Sequence, residues 1–231
     1  MNKSQLLGVY CGCVLACVIS SANAATTFYD SQANYLNALG GTAITTYDFD
    51  TLAAGTLIAN GDTLNDATFS YSLGPSGNLS ILVDNSFVTT SPNNYLGTDD
   101  GSGAFVSGDR FTITFDQTMR AVGLYVISAD QIFAGDFTIT TNSGQSVSNA
   151  TTPDIALIDG DAFFIGLIED DFSLGFNSIT LSSQDYGFLF NVDDITVSQV
   201  PLPTAVWFFV SGLLGLAGIS RRASRNTEYN D

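Results

Sequence analysis

Through the middle of this chain, apolar and polar residues alternate with a period of two, the signature of half-buried β-strands. Residues 45–52, 68–73 and 110–115 show it most clearly, the last as Arg110-Phe111-Thr112-Ile113-Thr114-Phe115. Residues 121–127 are apolar on both parities and predict a central strand, separated from 110–115 by a turn at Asp116-Gln117-Thr118. Residues 136–141 and 145–147 flank Asn142-Ser143-Gly144, a three-residue hairpin loop. Further strands are predicted at 79–83, 162–168, 178–181 and 186–197, and a long loop at 91–103, where Pro, Asn, Asp and Gly cluster without a period. One short helix is expected at 32–39, with Asp30 or Ser31 to cap it and Gly40-Gly41 to end it. Many short strands without βα alternation predict an all-β, antiparallel two-sheet sandwich of jelly-roll type.

The two ends break this pattern. After Lys3 comes an apolar stretch, 6–19, and then Ala22-Asn23-Ala24, a small-x-small cleavage site at Ala22 and Ala24. That is the layout of a secretory signal peptide. Val14-Leu15-Ala16-Cys17 also reads as a lipobox, so lipidation of Cys17 stays open. At the other end stand Val200-Pro201-Leu202-Pro203, then 17 uncharged residues (204–220), then Arg221 and Arg222. As a helix those 17 residues span about 26 Å, short for a bilayer core of about 30 Å. A prolyl junction, a short span and a basic stop together resemble the PEP-CTERM sorting tail of exported bacterial proteins. The resemblance implies an exosortase-type membrane protease as partner, brief residence in the inner membrane, and release to the cell surface or extracellular matrix. The pattern Asp48-Phe49-Asp50-x-Leu52-x-x-Gly55 after a short helix also resembles ectodomains of that family. The expected organisation is a signal peptide at 1–24, a β-sandwich at 25–199 and a sorting tail at 200–231.

Composition narrows the chemistry. Cys11, Cys13 and Cys17 all lie before residue 25, and the chain has no His. Between residues 25 and 199 there is no Lys. The two arginines there, Arg110 and Arg120, face twenty Asp and one Glu, for a side-chain sum of −19. Such a charge disfavours nucleic acid and anionic lipid and draws divalent cations. A Ser-His-Asp triad, an imidazole zinc site, a thiol nucleophile and a Schiff-base lysine are all excluded from this stretch. Carboxylate-pair glycoside hydrolysis remains chemically open, with Glu169-Asp170-Asp171 and Asp159-Gly160-Asp161 as the acidic clusters.

In the last predicted strand Phe188, Phe190 and Val192 share one parity, and Ile195 and Val197 the other. The apolar face changes register at Asp193-Asp194, which predicts a bulge. An apolar-Asp-Asp-apolar terminal strand resembles that of jelly-roll carbohydrate-binding modules, where it helps to hold a structural calcium. The resemblance implies a Ca²⁺ site at Asp193 and Asp194; Asp48 and Asp50 lie on the first predicted strand, which in a jelly roll can run near the last, and are the added candidate ligands. Tyr95, Tyr125 and Tyr186 are candidate sugar-stacking aromatics, whereas the 17 Phe read as core. The expected function is a non-enzymatic structural or adhesive surface component. The alternatives are a carbohydrate-binding module for exopolysaccharide and, behind it, a glycan hydrolase.

Overall fold

The computed structural model describes residues 26–73, 79–171 and 175–200. The signal-peptide residues Ala22 and Ala24, and Pro201, Leu202, Pro203, Arg221 and Arg222 of the tail, lie outside the described residues. Among the described residues no helix is long and apolar enough to cross a membrane.

The strands run in order: β1 (Thr26–Tyr29), then helix α1 (Gln32–Leu39), then β2 (Ile44–Tyr47), β3 (Leu57–Ile58), β4 (Thr63–Leu64), β5 (Ala67–Ser72), β6 (Ile81–Asp84), β7 (Tyr95–Thr98) and β8 (Phe105–Val106). They continue as β9 (Arg110–Ser128), β10 (Phe137–Thr141), β11 (Ser146–Ser148), β12 (Ile155–Leu157), β13 (Gly160–Glu169), β14 (Phe176–Ser183) and β15 (Leu189–Gln199). Each pairing among them is antiparallel. The chain folds as the predicted all-β sandwich.

Its spine is β9. The first half, 110–115, pairs with β14 on one edge and β5 on the other. The second half, 121–128, pairs with β13 and β15. One strand thus belongs to both layers, and it changes partners on both edges around 116–120. The predicted turn at Asp116-Gln117-Thr118 is therefore not there. Those three residues are exposed, and their polarity marks the solvated crossing between layers rather than a reversal.

Residues 121–128 are buried throughout because both faces are covered. Val122, Leu124 and Val126 face the main core with Phe163, Ile165 and Leu167. Ala121, Tyr125 and Ile127 face a second cluster with Phe164, under Tyr35 and Leu39 of α1. The helix has the predicted bounds and ends on Gly40 in the left-handed region (φ 61°), as a glycine permits. Its N-terminus is not capped by the Ser31 side chain. The Gln32 N–H donates instead to Asp154 Oδ2 at 3.0 Å, and that same oxygen accepts from the Tyr125 hydroxyl at 2.6 Å. Burial and this carboxylate hold the Tyr125 hydroxyl protonated well above the usual tyrosine range. About one turn further along the helix the Tyr35 hydroxyl donates to the Thr196 carbonyl at 3.2 Å.

Two other expectations fail for local reasons. The predicted loop at 91–103 contains β7, whose four residues are all buried. Its flanking Asn, Asp and Gly hid it, and Gly97 is required because a Cβ there would lie 2.0 Å from the Gly103 carbonyl oxygen. The strand predicted over 45–52 stops at Tyr47, because Phe49 takes a positive φ of 59° and turns the chain.

Chain entry and exit lie at one end of the second layer. Thr26 pairs with Glu169, Ile168 with Ala121 and Ser198 with Ala121, and Val200 N–H donates to the Thr118 carbonyl at 3.0 Å. At the opposite end of β9, Ser128 pairs with Asp161, close to the start of β15.

Gly123 and Gly166 face each other in register. A Cβ on Gly123 would lie 2.4 Å from Phe164 Cζ, and one on Gly166 2.7 Å from Phe164 Cε1. The pair forms the bed on which the Phe164 ring lies beneath Tyr35. Gly123→Ala should overpack this cluster and cost about 1–3 kcal/mol, read as a lower thermal midpoint by circular dichroism. An unchanged midpoint would show that the ring does not depend on that bed.

Candidate functional site

The register of β15 against β9 breaks between Asp193 and Thr196. Asp193 opposes Tyr125 and Thr196 opposes Gly123, so β15 carries one residue more than its partner and bulges. Asp194, at the bulge, has φ 50°, an uncommon conformation for a residue with a side chain. The two carboxylates separate, as the parity change predicts: Asp193 is fully buried and Asp194 half-buried.

Strand β2 pairs with β15 on the same stretch, Tyr47 opposite Ile195. This brings Asp48 and Asp50, just beyond β2, to the bulge. The third contributor is the segment 89–94, which leads into β7. Asp193 Oδ2 accepts from the Thr89 hydroxyl, from the Ser91 N–H at 3.1 Å, from the Ser91 hydroxyl at 2.8 Å and from the Thr90 hydroxyl at 3.3 Å. Asp193 Oδ1 accepts from the Asp194 N–H at 2.7 Å. Asp50 Oδ1 accepts from the N–H groups of Asn93 at 3.0 Å and Asn94 at 2.9 Å. The Asn94 amide donates to the carbonyls of Phe49 at 3.1 Å and Leu52 at 2.9 Å. Ser91 Oγ lies within 3.5 Å of both Asp193 Oδ2 and Asp50 Oδ1. All four predicted acids therefore meet in one knot. Sequence reasoning missed the hydroxyl and amide donors of 89–94, which have no periodicity to reveal them.

The electrostatics of the knot are those of crowded anions. Burial first, and the charge of Asp194 second, push the Asp193 carboxyl up to about 7. Burial also raises Asp194, and the charges of Asp48 and Asp50 add to it. Each charged group acting on these two residues is another carboxylate. In donor type and charge the knot suits a hard cation, which takes oxygen ligands. In arrangement the inner oxygens of Asp193 and Asp50 are already occupied by protein donors. Among the described residues no three acidic side chains are set to grasp one ion as they stand.

The acidic clusters do not face one another. Asp161 and Glu169 sit near opposite ends of β13, roughly 26 Å apart at about 3.3 Å per residue, whereas paired glycosidase carboxylates stand about 5–10 Å apart. Glu169 is buried, accepts from the Thr26 hydroxyl at 2.9 Å, and is raised by that burial.

The aromatic expectation needs correction. Tyr95 and Tyr125 are buried in the fold and present no stacking face, whereas Tyr186 is 74% exposed. Phe87 and Phe133, read as core, are 48% and 55% exposed. Nothing in their sequence context separates them from the buried phenylalanines, because their loops lack a period. Phe87, Phe133 and Tyr186 all lie at the Ser128 end of the sandwich, in the loops after β6, β9 and β14.

No protein-family model matches the chain, and no curated protein does. Among solved structures the chain is similar to the K2 cleaved adhesin domain of Lys-gingipain, at 10% identity over 68% of this chain and 98% of that one, with a TM-score of 0.42. It is also similar to the K1 cleaved adhesin domain of Lys-gingipain from Porphyromonas gingivalis W83, at 9% identity over 76% and 98% with a TM-score of 0.27. A third similarity is to the catalytic domain of a GH87 α-1,3-glucanase in complex with tetrasaccharides, at 12% identity and a TM-score of 0.29. It covers 71% of this chain and only 29% of the glucanase. Similarity this distant carries no statement about what the present chain binds or does.

The raised Asp193 makes stability depend on pH. An aspartate near 3.8 when unfolded and near 7 when folded stabilises the fold fully below about 4 and loses that contribution as pH rises through about 7. Asp194 acts in the same direction. In calcium-free buffer the thermal midpoint should fall from pH 5 to pH 8, by the equivalent of a few kcal/mol. Asp193→Asn should flatten that fall, and a variant with the wild-type slope would remove Asp193 as its source.

Proposed function

We propose that this is an exported, non-catalytic surface component that adheres through glycans. For the enzymatic alternative, residues 25–199 lack His, Cys and Lys, and the two acidic clusters are separated along β13. The observation that carries the adhesive reading, and favours a carbohydrate-binding role within it, is the gathering of Phe87, Phe133 and Tyr186 at one end of the sandwich. Buried aromatics are core material; solvent-facing rings grouped on loops are a stacking surface. Delivery follows the sorting-tail resemblance: passage through the inner membrane, action of an exosortase-type protease, and display on the surface or in the matrix among exopolysaccharide.

The test uses the protein recovered from the outer face of its own cells. Its mass should place the mature ends after Ala24 and near 200–204, and the same preparation should bind polysaccharide in a glycan screen. Recovery with Arg221 and Arg222 intact would overturn the delivery reading. A screen without any glycan bound would overturn the adhesive one.

Calcium belongs to the same proposal, with a structural role. Asp48, Asp50 and Asp194, with backbone carbonyls of the knot, are the groups that would hold it, and Asp193 would stay inside as an acceptor for 89–91. A bound ion neutralises the crowded carboxylates and stabilises the fold by mass action, about 2.7 kcal/mol at a hundredfold excess over its dissociation constant. Millimolar calcium should therefore raise the thermal midpoint at pH 8 more than at pH 5, EDTA should reverse it, and Asp194→Ala should abolish the response. Identical melting with calcium and with EDTA would remove the ion from the account.

A further inference from the structure

Three adjoining concavities occupy the Ser128 end of the sandwich. The first, about 410 Å³, lies along 85–93. It shares Phe87, Val88 and Asp159 with the second, about 170 Å³, whose floor is Ile127, Leu189 and Phe190. The second shares Asp130 with the third, about 370 Å³, which is walled by Phe133 and Tyr186. Together they form one groove across the loops that follow β6, β9, β12 and β14.

We propose that this groove binds a neutral polysaccharide chain, with Phe87, Phe133 and Tyr186 as stacking platforms and Asp130 and Asp159 as hydrogen-bond acceptors. The proposal rests on the glycan-adhesion reading above and gives it a place and a ligand class. Four observations carry it. First, five of the eleven exposed large apolar side chains among the described residues line these concavities: Phe87, Val88, Phe133, Tyr186 and Leu189. Second, the rings are separated along the groove and interleaved with Asp, Asn and Gln. A pyranose chain offers that alternation, apolar C–H faces between hydroxyl edges, whereas an apolar protein segment would leave the carboxylates desolvated without donors. Third, the walls are held in place. The Phe87 ring packs against buried Tyr95 with centroids 6.2 Å apart, and Asp130 Oδ2 accepts from the Leu189 N–H at 2.9 Å. The segment behind Phe87 is tied to Asp193 through Thr89 and Ser91. A pre-set wall lowers the ordering cost of binding. Fourth, the charge selects. The lining contains Asp130, Asp136 and Asp159 and neither Lys nor Arg, in a domain of side-chain charge −19. Uronic, sulfated and phosphorylated polymers are repelled there, and uncharged hexose chains are not.

The experiment is affinity electrophoresis of the purified full-length protein in mild detergent. The probes are soluble glucan, mannan and galactan, with a polyuronate as the charged counterpart. Wild type should be retarded by at least one neutral polymer and not by the polyuronate. Phe87→Ala and Tyr186→Ala should each weaken retardation about tenfold, and Asp159→Asn several-fold. Phe28→Ala removes an exposed aromatic on β1, outside the groove, and should change nothing. Circular dichroism monitors folding, and Tyr186→Phe, which keeps the ring, should retain most of the binding if a truncation variant loses its strand signal. Undiminished retardation of every folded groove variant would overturn the site while leaving glycan adhesion standing. Preference for the polyuronate would overturn the ligand class. Absence of retardation by every polymer would overturn site and reading together. Hydrolysis of the polymer that vanishes with Asp130→Asn would replace a binding site with a catalytic one.

Discussion

The structure depends on one strand serving two sheets. β9 is hydrogen-bonded on both edges along most of its 19 residues, to β14 and β5 in one layer and to β13 and β15 in the other. Each layer therefore borrows its middle from the same backbone, and neither can form its full set of pairs without the other. This makes the long-range pairing obligatory in a domain whose residues after 24 include no cysteine. The helix closes the arrangement on the outside, because a strand apolar on both faces must be covered twice.

Electrostatics work against the fold as much as for it. Buried carboxylates without a cationic partner ordinarily neutralise by taking up a proton, and Asp193 is displaced in that direction. What keeps it in place is a concentration of donors: three hydroxyls and two N–H groups, contributed by two chain segments. The bulge, the positive φ at Asp194 and the turn at Phe49 are the backbone distortions that bring those segments together. They are local departures from regular geometry at a place where the chain joins β2, β7 and β15.

Much of this was legible in the chain, and the failures have physical causes. Period-two alternation marked β5, β10 and the first half of β9, and the parity switch at Asp193-Asp194 marked the bulge. A polar triplet at 116–118 read as a turn, because sequence cannot distinguish solvent exposure at a crossing from solvent exposure at a reversal. β7 was hidden by its flanks. Ring exposure departs from residue type in both directions. Tyr95 and Tyr125 carry hydroxyls that find partners inside, in Asp84 and Asp154, and so tolerate burial. Phe87 and Phe133 look like core residues and are not. Convergence of 89–94 on the acids is a tertiary fact, without a local signal in either segment.

Entry and exit of the domain both lie beside Thr118–Ala121, while the loops that carry Phe87, Phe133 and Tyr186 gather at the Ser128 end. The sandwich therefore has a pole. Strands β1 and β15 stand on opposite flanks of the β13–β9 pair, about 14 Å apart at about 4.8 Å per strand, and run out of the same end. A tether at either terminus pulls on that end alone and directs the loop end away from whatever surface holds the chain. Pulling on both termini at once loads β1 and β15 by peeling them from one end of the sheet, hydrogen bond by hydrogen bond, rather than by shearing them all together. Held by either terminus, such a fold would present its loop end outward and have its weak mechanical direction at the held end.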